Sequence, residues 1–241
     1  MSLNEPPGAR GQTVTKQEIV EAVKAGAGTE NYSYCRAAGV THAEALEAHG
    51  AGASLRWYAR CREAGATHAE VLEAQEAGAD LFSYACCRRA GATHAEALEA
   101  QKAGTKLTWY ARCREAGTTH AEVLEAHGAG ANLHWYALCR KTGATHAEVL
   151  EAQEAGADLF SYAYCREVGA THPEAMALRL RGDGPDTMEE LELAVPALRA
   201  ACGTTPTREL GETIATLAKD WAGTADELAA TAMVLAAPRP T

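Results

Sequence analysis

The chain has 241 residues, a formal net charge of −10 at pH 7, and a hydrophobic content of 47% with only two phenylalanines. We expect a globular protein with neither a membrane span nor a signal peptide, because no apolar run approaches the required length. The acidic balance disfavours nucleic acid as a partner, since phosphate binding requires a clustered positive field. Arg and Ala outnumber Lys and Ile, which favours an origin in the bacterial cytoplasm.

A flexible leader is predicted at residues 1–14, which hold two prolines, two glycines and no periodic apolar pattern. A tandem array follows, because the dipeptide Thr-His then recurs every 26 residues. Six full copies span 15–170 and a half copy extends to 182. The copies begin at Thr15, where Lys16 replaces the histidine, and at Thr41, Thr67, Thr93, Thr119, Thr145 and Thr171.

Each copy predicts two short helices. Thr67 and Glu70 have the spacing of a capping box, and Gly78 is suited to end the first helix in a left-handed conformation. The second helix is expected to begin after a polar N-cap, such as Ser54 or Asp80, and to end at a glycine. Such short helices are unstable alone, so the copies must pack on one another. The predicted fold class is therefore all-α, an α-solenoid of 26-residue helix-turn-helix repeats with a C-terminal helical cap.

The period ends after residue 182, at a breaker run that includes an Arg-Gly-Asp turn at 181–183. Three further helices are predicted at about 187–201, 206–222 and 225–236 from caps and apolar spacing. We interpret residues 183–241 as a bundle that caps the last repeat, and a homodimer formed through this bundle is the alternative. The apolar stripe of the middle helix comprises Leu210, Ile214, Leu217 and Trp221.

Copies 78 residues apart are more alike than adjacent copies. The copy at 67–92 differs from that at 145–170 at three positions only, and the copy at 41–66 resembles that at 119–144. We infer that a block of three copies has been duplicated. This duplication indicates how the array originated and says little about its activity. The three differences are Cys86/Tyr164, Arg89/Glu167 and Ala90/Val168.

Cysteine and histidine each recur once per copy. Equivalent cysteines in adjacent copies should lie about 9–10 Å apart, beyond the roughly 7 Å that a disulfide allows between Cα atoms. We therefore expect free thiols, histidines that do not converge on a metal, and no cofactor. Each cysteine at this repeated position precedes an arginine, which we expect to pair with a glutamate such as Glu73 or Glu99. The two rows are Cys35, Cys61, Cys87, Cys113, Cys139 and Cys165, and His42, His68, His94, His120, His146 and His172.

One large ring recurs on the second helix of the copies, at its second or third position. The ring either packs against the adjoining copy or lines a face for a bound partner. On the second interpretation, the candidate partner-binding residues are Arg56, Trp57, Arg60, Phe82, Thr108, Trp109, Arg112, His134, Trp135 and Phe160.

No hydrolase, transferase or phosphate-loop motif is present, and every copy carries nearly the same polar groups, whereas catalysis gathers different groups at one place. We expect a non-catalytic scaffold that binds a protein or peptide along its repeated surface. One alternative is a thiol or imidazole metal store, because a neighbouring arginine can lower a thiol pKa. The other is a periodic structural element that matches a polymer, filament or crystalline surface.

The run at 57–65, Trp-Tyr-Ala-Arg-Cys-Arg-Glu-Ala-Gly, resembles the end of one helix in Sel1-type members of the tetratricopeptide-like superfamily. In those repeats a Trp-Tyr pair precedes a basic residue, small residues and glycine. The resemblance covers these nine residues of a copy. It implies a solenoid of helical hairpins that binds protein segments.

Overall fold

A computed structural model describes residues 14–178, 188–202, 208–219 and 221–236. Within these ranges the chain forms sixteen helices and no strand, which confirms the predicted all-α repeat fold. The chain divides into two compact units, Met1–Glu115 and Ala116–Thr241. Apart from Val14, the predicted leader lies outside the described residues, as does the Arg-Gly-Asp turn.

The first unit contains eight helices of nine residues each in its described part. We call the odd-numbered helices A helices and the even-numbered helices B helices, because one of each makes a copy. The helices are α1 (Lys16–Lys24), α2 (Thr29–Ala37), α3 (His42–Gly50), α4 (Leu55–Glu63), α5 (His68–Glu76), α6 (Leu81–Arg89), α7 (His94–Lys102) and α8 (Leu107–Glu115).

The second unit continues the same alternation and then departs from it. Its A and B helices are α9 (His120–Gly128), α10 (Leu133–Lys141), α11 (His146–Glu154), α12 (Leu159–Glu167) and the short α13 (His172–Ala177). Three longer helices follow, α14 (Met188–Cys202), α15 (Arg208–Ala218) and α16 (Ala225–Ala236), near the predicted positions. No helix in the described ranges has the length and apolar character that a membrane span requires.

The caps explain why the helices of successive full copies begin and end at the same places in the period. At Thr67, the backbone amide of Glu70 donates to the threonine hydroxyl (3.2 Å) while the Glu70 carboxylate accepts from the Thr67 amide (2.7 Å). Gly78 has φ 78°, and the next amide donates back to Ala74. Asp80 caps α6 as predicted, whereas Ser54 makes no side-chain bond at the start of α4.

The core of the array is a row of B helices. In the first unit α2 packs on α4, α4 on α6 and α6 on α8, and in the second unit α10 packs on α12. Each A helix packs against the B helices that flank it within its unit. The inward side of a B helix buries a leucine, a tyrosine, an alanine and a cysteine, which in α4 are Leu55, Tyr58, Ala59 and Cys61. Each copy therefore completes the core of its neighbour.

The C-terminal helices cover the end of the array. Helix α14 packs on α12, α13, α15 and α16, and α15 packs on α13. Of the predicted apolar stripe, Ile214 is fully buried while Leu210, Leu217 and Trp221 are partly buried. At Gly211 a Cβ atom would collide with the carbonyl oxygen of Ala177. Close approach of α15 to α13 therefore requires glycine at that position. The homodimer alternative remains a prediction.

Candidate functional site

The histidines are held within the array by tyrosines and glutamates. The hydroxyl of Tyr58 lies 2.7 Å from Nδ1 of His68, ten residues further along the chain. The other ring nitrogen of His68 lies 3.2 Å from Glu47, on the A helix of the preceding copy. The same arrangement joins Tyr84 to His94, and in the second unit it recurs with Tyr136 and His146 and with Tyr162 and His172. Each of these four histidines thus joins a B helix to its own A helix and lies beside a glutamate of the preceding A helix, so it is locally bonded as predicted.

The arginines that follow the cysteines pair with the capping-box glutamates. Arg62 lies 2.6 Å from Glu44 and also donates to the hydroxyl of Tyr58 at 3.1 Å. Arg88 lies 3.6 Å from Glu70. The predicted pairing of these arginines with glutamates is confirmed, but the choice of Glu73 as a partner is wrong. Three residues after Glu70, Glu73 faces the next copy and lies 3.2 Å from His94.

Arg114 follows the same rule, because it pairs with Glu96 at 3.2 Å. The prediction that Glu99 is its partner is therefore wrong as well. In the full copies, each capping-box glutamate lies in the first turn of an A helix. It is beside the last turn of the B helix in the same copy. A glutamate three residues later on the A helix lies on a different side of that helix. We call the repeated set of tyrosine, histidine, arginine and the two glutamates the polar ladder.

The polar ladder perturbs the acidity of its carboxylates. Burial raises the pKa of Glu44, but the hydrogen bonds from Arg62 and Thr41 outweigh it and bring the pKa to about 2. In the second unit, hydrogen bonds from Arg199 and Thr171 outweigh burial and lower the pKa of Glu174. These carboxylates are ionised in the folded chain at neutral pH and are part of its scaffold.

The cysteine row is buried and is not activated by the arginines. The Cys61 thiol donates to the carbonyl of Leu81 at 3.3 Å, and burial raises its pKa to about 12. The described cysteines are free thiols, as predicted. No group of three or more His, Cys, Asp or Glu side chains in the described ranges could hold a metal ion. A metal store would need arginines that lower the pKa of the thiols, but burial raises the pKa of Cys61 instead.

An open groove lies between α4 and α6, on the side of the B helices opposite to the core. Its volume is about 400 Å³. The rings of Trp57 and Phe82 meet edge to face at 4.9 Å between centroids, and Phe82 is 42% exposed. The other exposed large apolar side chains in the described ranges are aliphatic and lie on α1 and α16. The groove is lined by Arg56, Trp57, Arg60, Glu63, Ala64, Phe82, Ala85, Cys86 and Arg89.

Positive charge is in excess around this groove. Arg60 is paired with Glu63 at 3.0 Å and lies over the ring of Tyr34. Arg56 lies 5.3 Å from the centre of the Trp57 ring. Among the described residues neither Arg56 nor Arg89 forms an ion pair with a carboxylate, and Arg89 donates to Sγ of Cys86 at 3.5 Å. The groove is therefore lined by two aromatic rings and by two arginines that could pair with an acidic ligand.

The remaining predicted site residues lie on equivalent faces of other B helices. The side chains of Lys106, just before α8, and Arg112, on α8, lie 5.4 Å and 4.6 Å from the centre of the Trp109 ring. Thr108 precedes this tryptophan. In the second unit the Trp135 ring contacts His134 at 4.3 Å and Phe160 at 4.7 Å. The predicted residues thus fall into three clusters, on α4 and α6, on α8, and on α10 and α12.

Sequence analysis missed several residues of these clusters. Cys86 and Arg89 line the groove four and seven residues after Phe82, which is the spacing of one helix face. In the second unit Tyr164, four residues after Phe160, contacts its ring at 4.6 Å. Helical spacing from the predicted aromatic residues could have found all three.

Fold and site together define a tandem array of helical hairpins whose B helices present an aromatic face. A scan against protein-family models finds no match to this chain, and a search of curated proteins also finds none.

Proposed function

We propose that the chain is a non-catalytic scaffold that binds a segment of another protein, or a peptide, along the outward face of its B helices. The observation that carries this proposal is the groove between α4 and α6, where Trp57 and Phe82 lie beside Arg56 and Arg89. Aromatic and arginine side chains contribute much of the energy at protein interfaces. A volume of about 400 Å³ is within the usual range for ligand pockets.

The polar ladder supports a role without catalysis. Its tyrosines, histidines, arginines and glutamates could in principle transfer protons, but they bond to one another between helices. The same bonds recur in successive copies, which is expected of groups that hold an array together. The resemblance of 57–65 to Sel1-type repeats also favours the binding of protein segments. No contact in the described ranges favours the metal store or the periodic surface over this function.

A peptide-display selection on the full chain tests the proposal. We expect random peptides to be enriched, and we expect Trp57→Ala or Trp135→Ala to weaken the binding of those that use its cluster by at least tenfold. Trp109→Ala tests the third cluster in the same way. Circular dichroism should show unchanged helix content in all three variants. Glu76→Ala, on the exposed side of α5, is the matched control and should bind normally.

The proposal would be contradicted by a selection that enriches no peptide. It would also be contradicted if the enriched peptides bound all three tryptophan variants as tightly as the unaltered chain. A collapse of helix content in the variants would instead assign the tryptophans to the core.

A further inference from the structure

The duplicated blocks can be compared position by position. Residues 41–92, in the first unit, align with residues 119–170, in the second, and differ from them at nine of 52 positions. The nine pairs are Ala45/Val123, Ser54/Asn132, Arg56/His134, Arg60/Leu138, Glu63/Lys141, Ala64/Thr142, Cys86/Tyr164, Arg89/Glu167 and Ala90/Val168.

The differences concentrate at the groove. Six of the nine fall on residues that line it, although the lining comprises only nine of the 52 positions. Changes tolerated at any exposed position would have spread over the A helices as well. Yet the exposed Glu47, Glu73 and Glu76 are identical in the second block. The two blocks have therefore diverged mainly at the surface of the groove, and only three of the other 43 positions differ.

The replacements change the charge and the size of side chains while they retain the aromatic contact. The contact between Trp57 and Phe82 at 4.9 Å has its counterpart between Trp135 and Phe160 at 4.7 Å. Cys86 is replaced by Tyr164, whose ring packs on Phe160. Three arginines and one glutamate at the groove correspond to one lysine, one glutamate, one histidine and one leucine in the second block.

We propose that the groove between α4 and α6 binds a short acidic peptide segment with one large apolar side chain, and that the equivalent surface of α10 and α12 does not. This inference rests on the proposed function and specifies its ligand. The apolar side chain would lie on Trp57 and Phe82, and carboxylates would pair with Arg56 and Arg89. Arginine forms bidentate hydrogen bonds with carboxylates, which adds geometric specificity to the charge attraction.

The extent of the positive surface favours a peptide over a small molecule. The positive surface begins at α4, because the position of Arg56 on α4 is occupied by Glu30 on α2. It reaches α8, where Lys106 and Arg112 flank Trp109 and Glu115 ends the helix. Helices packed about 8–10 Å apart place α4 and α8 some 16–20 Å from one another. An extended chain of about five or six residues spans that distance.

Two labelled decapeptides test the ligand class on the full chain. The first contains Glu and Asp around a single Phe, and the second has Lys at every acidic position. Fluorescence anisotropy at low ionic strength should show at least tenfold tighter binding of the acidic peptide, and added salt should weaken that binding. The bound acidic peptide should also slow the alkylation of Cys86 by iodoacetamide, measured by mass spectrometry of its tryptic peptide.

Exchange of residues between the blocks tests the location. Cys86→Tyr with Arg89→Glu installs the residues of α12 in α6, so the variant should fold normally and lose at least tenfold in affinity for the acidic peptide. The reciprocal variant, with Leu138→Arg, Tyr164→Cys and Glu167→Arg, should bind a second acidic peptide per chain. Equal binding of the two decapeptides would overturn the inference, and so would undiminished binding by the double variant or unchanged alkylation of Cys86.

Failure of this inference can be distinguished from failure of the proposed function. If peptide display enriches basic or neutral peptides whose binding requires Trp57, the scaffold function stands and the acidic ligand is wrong. If display enriches no peptide and neither decapeptide binds, both are wrong.

Discussion

The inward and outward sides of the B helices differ in what they conserve from copy to copy. On the inward side, Tyr58, Tyr84 and their equivalents are buried and carry the same hydrogen bonds in successive copies. On the outward side, the position of Trp57 is not constant, since it holds Ser83 in the next copy and Asn31 in the preceding one. One side of a nine-residue helix is therefore enough to hold the array together. The side chains on the other side can differ from copy to copy.

Two residues of α6 that are two positions apart give the largest predicted contrast. Tyr84 is fully buried and Phe82 is 42% exposed. Tyr84→Ala should lower the free energy of unfolding by about 3–5 kcal/mol, as is usual for a buried aromatic residue. Phe82→Ala should cost less than about 1 kcal/mol, because most surface substitutions have small effects. Urea denaturation followed by circular dichroism measures both, and equal losses in the two variants would refute the division into sides.

Two tyrosine hydroxyls give a smaller contrast. Tyr58→Phe removes bonds to His68 and Arg62 in the partly buried ladder. It should lower the free energy of unfolding by about 1–3 kcal/mol, because the two partners are left unsatisfied. Tyr34→Phe removes only an exposed 3.3 Å bond to Glu63 on the outward side, and its effect should be near zero. Thermal unfolding of the pair checks this prediction, which fails if Tyr34→Phe is the more destabilised variant.

The capping-box glutamates predict loss of stability in acid. The pKa of Glu44 is lowered from 4.5 to about 2 in the folded chain. Because the folded chain binds a proton less readily than the unfolded chain, this contribution is fully present above pH 4.5 and disappears as the pH falls toward 2. Glu44→Gln should therefore be less stable than the unaltered chain at pH 6, and the difference should shrink between pH 4.5 and 2. Urea denaturation at several pH values measures it, and a difference that is constant with pH would contradict the assignment.

Much of the fold could be predicted from the sequence because its signals are local. Thr67, Glu70 and Gly78 fix the ends of a helix through bonds between residues close in the chain. The partner of Arg88 could not be predicted, because Glu70 and Glu73 differ only in the side of α5 on which they lie. That side is settled by the packing of α5 between α4 and α6.

The candidate site was only partly predictable for a related reason. The rings of Trp57 and Phe82 were recognised from their alternation, but the sequence does not state which face of a B helix stays uncovered. In the sequence Cys86 and Arg89 stand out only as differences between duplicated copies, and the structure places both at the groove. The hydrogen bond between Tyr84 and His94 could not be predicted either, because the two residues are ten positions apart and on different helices.

The most direct test is to give the first block the outward residues of the second and to titrate this variant with the acidic decapeptide. The exchange comprises Arg56→His, Arg60→Leu, Glu63→Lys, Ala64→Thr, Cys86→Tyr and Arg89→Glu. We predict a free energy of unfolding within about 1 kcal/mol of the unaltered chain and at least a tenfold loss of peptide affinity. An unfolded variant, or one that binds the peptide as tightly as the unaltered chain, would contradict the separation of scaffold and binding surface.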